Sequence, residues 1–170
     1  MPTAPAATRP APTWDAIALR AAAEGLRAVG GLRPGPDDPV PPGTEALVLL
    51  APDDGAFWPR FTSSSEAADG AGDPLDRYSR RVIGRMACDL GAKALFPFTG
   101  PPWKPFVDWA LRTGRVHAAP VGLLVDGEAG LFFSLRGALA LRHAIDVPPA
   151  EASPCETCAG RPCARACPVS

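Results

Sequence analysis

The sixteen residues CETCAGRPCARACPVS, 155–170, hold four of the five cysteines of the chain. Cys155, Cys158, Cys163 and Cys167 follow the spacing C-x2-C-x4-C-x3-C, and Pro168 comes directly after the last. Thiols this close together point to a metal site. Bacterial iron–sulfur proteins use the run C-x2-C-x2-C-x3-C-P, and the pattern here is that run with two residues added between the second and third cysteines. A short loop of this kind wraps three thiolates around one corner of a cubane cluster. Its backbone amides donate to the sulfides, and the proline turns the chain away. The spacing therefore predicts a 4Fe–4S cluster held by Cys155, Cys158, Cys163 and Cys167.

Tetrahedral zinc is the competing reading. Zinc knuckles also use C-x2-C pairs, but a dozen or more residues usually separate the two pairs. In two-cluster proteins the fourth cysteine of the run serves the other cluster. Here only three residues follow Cys167. Either Cys167 closes the cluster locally, or the site is incomplete and the chain truncated. Cys88, the fifth cysteine, falls within a helical pattern and reads as a small packed residue.

Composition bounds the function. The chain has 170 residues, a formal net charge of −1 and a pI near 6.1. That length suffices for one domain with its own core, so no metal is needed to hold its bulk. The charge balance excludes the basic footprint of a general nucleic-acid binder. No apolar run approaches the length of a membrane span, and MPTAPAATRPAPTW lacks the apolar stretch of a signal peptide. A cytoplasmic location is the expectation, and in the cytosol clustered cysteines bind metal more often than they form disulfides. The 22 prolines predict short elements joined by stiff loops.

The elements that must position such a site read as follows. Residues 1–12 form a disordered leader, 13–150 a single α+β domain, and 151–170 the cysteine-rich segment. Thr13 caps a first helix running to Val29, stopped by Gly30-Gly31. EALVLLAP (45–52) is a continuous apolar run of strand length, as in a strand buried on both faces. Residues 53–65 carry a short helix and 63–73 a flexible loop. Asp73 caps the clearest helix, with Pro74 in its first position, an apolar stripe through Leu75, Tyr78, Val82, Met86 and Leu90, and Gly91 after its end. Residues 92–98 form a short buried strand, and about 104–112 another helix. VGLLV-DGEAG-LFFSLRG (121–137) reads as a β-hairpin.

Three long stretches, DPLDRYSRRVIGRMACDLGAKALFPFTGPPWKPFVDWAL, PVGLLVDGEAGLFFSLRGALAL and CETCAGRPCARACPV, resemble a bacterial 4Fe–4S ferredoxin-like family related to epoxyqueuosine reductase. More remotely, DPLDRYSRRVIG and LLVDGEAGLFFSLRGALAL look like parts of the cobalamin-processing protein of methylmalonic aciduria type C. The resemblance covers about residues 45–169. It implies a flavin-reductase or nitroreductase-like antiparallel sheet flanked by helices, an oxidoreductase if the chain is an enzyme, and cobalamin or FMN beside the cluster. Arg136 would then face an anionic cofactor group, Gly137 would allow close backbone approach, and Trp103 would line a flat cofactor. A redox partner protein is implied as well. Three functions thus stand open. They are iron–sulfur electron transfer, a corrinoid- or flavin-binding module with an incomplete cluster site, and a zinc-knuckle interaction protein.

Overall fold

A computed structural model describes residues 11–166. A four-stranded antiparallel sheet lies at the centre, in the order β1-β2-β6-β3. Its strands are β1 (Leu26–Leu32), β2 (Ala46–Pro52), β3 (Lys93–Leu95) and β6 (Gly137–Leu141). Helices α1 (Trp14–Ala22) and α4 (Pro74–Leu90) cover one face, with α2 (Phe57–Thr62) and α3 (Ser65–Ala68) at its margin. Helix α5 (Phe106–Arg112) and the small hairpin of β4 (Val116–Ala118) and β5 (Leu124–Asp126) cover the other. The fold is mixed α+β, an antiparallel sheet flanked by helices.

The apolar run of β2 explains this layering. Side chains alternate across a strand. Ala46, Val48 and Leu50 enter the core under α1 and α4, while Leu47, Leu49 and Ala51 enter the core under α5. β2 is flanked by β1 and β6, so both its faces and both its edges are covered. An uninterrupted apolar sequence is what such a strand requires. β6 repeats the pattern, with Leu139 and Leu141 on one side and Ala138 and Ala140 on the other.

Several expectations are corrected. The first helix ends at Ala22, and residues 26–32 form a strand rather than its continuation. Trp14, Ile17 and Ala21 keep helical spacing, but the next place on that stripe is Gly25, at φ +73°. A Cβ there would lie 2.8 Å from the Ala56 carbonyl oxygen, so the chain turns at a point where only glycine fits. Gly30 and Gly31 sit inside β1 and admit Thr113 and Val147 against the strand. Residues 63–73 contain α3, capped by Ser64. Asp73 precedes α4 as expected but makes no side-chain cap and has φ +52°. Arg77 instead ties down the incoming loop, donating to the Gly72 carbonyl and pairing with Asp69. The last helix begins at Phe106 rather than 104, and the strand expected over 92–98 is only Lys93–Leu95.

The hairpin also forms differently. β5 pairs with β4, and residues 131–136 are not a strand. Gly137 begins β6, which inserts between β2 and β3. Asp126 supplies the reason. Its carboxylate accepts from the amides of Glu128 and Ala129 and pairs with Arg27 on β1. That pins the Asp126-Gly127 turn to the sheet rather than freeing it as a hairpin tip.

Two ion pairs fix the outer layers and set an acid limit. The Arg112 guanidinium beside Asp38, helped by the Trp109 and Gly35 N–H groups, holds the Asp38 carboxyl at about 2 against an ordinary 3.8. Arg81 holds Glu66 at about 2 against 4.5. Both carboxyls are depressed by folding, so each contributes stability above its ordinary value and loses it as pH falls toward 2. Both arginines are open to solvent, which limits the joint effect to about 1–3 kcal/mol. Denaturant unfolding at pH 7 and at pH 3 should show that loss, and D38N should remove part of the difference.

Candidate functional site

The cysteines sit on a tail that the domain holds by its root. After β6 the chain runs back as a strap across β1 and the α5–β4 turn. Val147 fills the space over Gly31, and Ala150 fills that over Gly114. The amide of Glu151 donates to the Gly114 carbonyl at 2.9 Å. Arg115 pairs with the Glu151 carboxylate and donates to the carbonyls of Pro149 and Val29. Val29 is free to accept because the β1–β2 register shifts there. The strap ends in this anchored Glu151.

Beyond it the hydrogen bonds become local. Among the described residues, the hydrogen bonds of 152–166 stay within that segment. Cys155 N–H reaches the Ser153 hydroxyl, Glu156 N–H the Ser153 carbonyl, and Ala164 N–H the Arg161 carbonyl. A single 3-10 turn, Pro162–Arg165, is the only regular element described there. Cys155 and Cys163 are half-buried, Cys158 is exposed, and all three are free thiols. No group of three Cys, His, Asp or Glu among the described residues is gathered to hold a metal ion. Cys167, the fourth expected ligand, lies outside the described residues. Arg161 and Arg165 border a shallow hollow beside Cys158. Cys88 is exposed on α4 rather than packed.

The second group of expected residues separates in space. Arg136 lies at the end of β2 and borders a cleft of about 370 Å³ with Asp53, Asp54, Trp58, Leu75 and Phe132. Its charge is met within the protein. It pairs with Asp76 in the first turn of α4, donates to the Ser79 hydroxyl at 3.0 Å, and lies over the Phe98 ring. Asp76 reads from sequence only as a favourable acid at a helix start. The fold brings residues sixty positions apart together to make it the arginine's partner.

Gly137 is buried, and its close approach is to the protein itself. A Cβ would stand 2.8 Å from Ile83 Cδ1 and 3.0 Å from the Leu95 carbonyl oxygen. G137A is therefore expected to cost about 1–3 kcal/mol in chemical denaturation, as overpacking where one neighbour is backbone. Trp103 is exposed in the loop before α5, over Gly100, and does not border the Arg136 cleft. His143 Nε2 donates to the Pro12 carbonyl at 3.2 Å, and the Nε2 of His117 is buried without a partner among the described residues.

The cleft residues Asp54, Trp58 and Phe132 were not legible as a group. One signal existed: in LFFS two adjacent phenylalanines cannot both face one core if the segment is extended. Phe133 packs inward under Arg27, and Phe132 is 94% exposed. No helix among the described residues is long and apolar enough to cross a membrane. Comparison with protein-family models, curated proteins and solved structures finds no match to this chain.

Proposed function

We propose that this chain is a 4Fe–4S protein that transfers electrons, its cluster carried on a tail rooted in a reductase-like α+β domain. One observation carries the reading: the spacing of Cys155, Cys158, Cys163 and Cys167-Pro168 on a segment whose described hydrogen bonds are only local. Metal ligation and local folding are coupled, so a segment whose described hydrogen bonds are all local can close around a metal at little cost to the fold. Arg161 and Arg165 would offset the negative charge of a thiolate-ligated cluster. The nitroreductase-like identity of the domain, a cytoplasmic location and a partner redox protein belong to the same proposal.

Iron and acid-labile sulfide analysis after anaerobic purification, with EPR of the reduced protein, tests it. A colourless chain that takes up no iron on reconstitution would sink the idea. Stoichiometric zinc from iron-replete, zinc-limited medium would favour the zinc-knuckle reading instead.

A second reading draws on the cleft at Arg136. Its aromatic lining suits a flat ring, as the resemblance to flavin and corrinoid proteins implies. Optical titration with cobalamin and with FMN tests that reading, and an unchanged spectrum with both would rule against it.

A further inference from the structure

We infer that the cleft between β2, α2 and α4 is a binding site for a small organic cation with a flat apolar body. None of its lining residues belongs to the cysteine tail. The cleft holds about 370 Å³, toward the lower end of the roughly 300–1,000 Å³ typical of small-molecule sites.

Its walls gather large apolar side chains that stand exposed together. Phe132 is 94% exposed and Trp58 is 58% exposed, both bordering the same cleft. Leu75 and the edge of Phe57 continue the apolar lining. Two large aromatic side chains left in water on one concave surface present faces on which a flat ring can stack.

The charge of the cleft selects the ligand. Three charged side chains border it: Asp53, Asp54 and Arg136. Arg136 is already paired with Asp76. Asp53 spends one carboxylate oxygen on the amides of Gly55 and Ala56, which orders the turn into α2, and keeps its negative charge. Asp54 is exposed. Neither Asp53 nor Asp54 takes part in an ion pair among the described residues. The cleft therefore presents two uncompensated carboxylates beside aromatic faces. Both features attract a cation, the carboxylates by charge and the ring faces by their quadrupole. On this inference a phosphate-bearing ligand such as FMN binds the cleft weakly, which sets it against the flavin reading of the same cleft.

Calorimetric titration of the full chain with N-methylquinolinium, naphthalene-2-sulfonate and 2-naphthol provides the test. These probes share a flat two-ring body and differ in charge. The cation is expected to bind at least about threefold tighter than the neutral probe, and the sulfonate more weakly than either. D54N should weaken the cation about threefold and leave 2-naphthol unchanged. F132A should weaken both. These two side chains are exposed, so the thermal midpoint of each variant should stay at the parent value. Replacing the tail cysteines by serine should leave the cation affinity unchanged, which separates this inference from the iron–sulfur reading. Equal affinity for the three probes, tighter binding of the sulfonate, no detectable cation binding, or a cation affinity indifferent to D54N would each overturn it.

Discussion

Anaerobic reconstitution of the full chain is expected to load about four iron and four sulfide per molecule and to give a brown protein. C155S, C158S and C163S should each remove most of that iron. C88S should remove none, because Cys88 stands on α4, within the domain rather than on the tail. The fold should not notice the loss. Both core clusters are built from residues between Ile17 and Leu141, and none comes from the tail. The denaturation midpoints of the serine variants should therefore match the parent to within about 0.5 kcal/mol, the range of surface substitutions. A structural zinc knuckle predicts zinc retention in place of iron. C167S completes the set. Full loss of iron in C167S means that the fourth ligand is local, and retained iron means that something else supplies it.

Replacing Trp109 by alanine is expected to cost about 3–5 kcal/mol, against a total of about 5–15 kcal/mol for a domain of this kind. Trp109 is fully buried and anchors α5 to the sheet. Its ring packs on Phe106 at 5.1 Å between centroids, and its indole N–H donates to Asp38 at 2.8 Å. The alanine variant loses the packing, leaves a cavity and removes one of the two side-chain donors to Asp38 Oδ1. Arg112 still reaches Asp38, so the carboxylate keeps a charged partner and the loss is mainly apolar. W109F keeps most of the ring volume and should cost about 1–2 kcal/mol. Urea denaturation of both variants checks the split. A cost below about 1 kcal/mol for W109A would mean that the α5 layer is not part of the cooperative core.

The strong local signals carried through to the structure. β2 was legible because a strand buried on both faces must be apolar without a break. α4 was legible because an amphipathic stripe, a proline at its start and a glycine at its end agree on one helix. The first helix failed past Ala22 because helical spacing continued by chance through Val29. The deciding event there is the contact of Gly25 with the α2 turn, which no local pattern encodes. The hairpin failed for a similar reason. DG read as a tip, while Arg27, a hundred residues away along the chain, holds Asp126 against the sheet.

The candidate site divides in the same way. The cysteine spacing is a property of the chain, so sequence alone names the thiols and the chemistry they suit. Sequence also sets the overall charge balance, a formal net charge of −1. Tertiary structure decided that, among the described residues, hydrogen bonds and ion pairs tie the tail to the domain as far as Glu151, that Arg136 is paired with Asp76, and that Gly137 makes room for Ile83. It also decided that Asp54, Trp58 and Phe132 share one cleft. The physical reason is reach. Spacing, capping and periodicity act over a few residues. Ion pairs, close approaches and concave surfaces join residues tens of positions apart, and they exist only once the sheet has set its strand order.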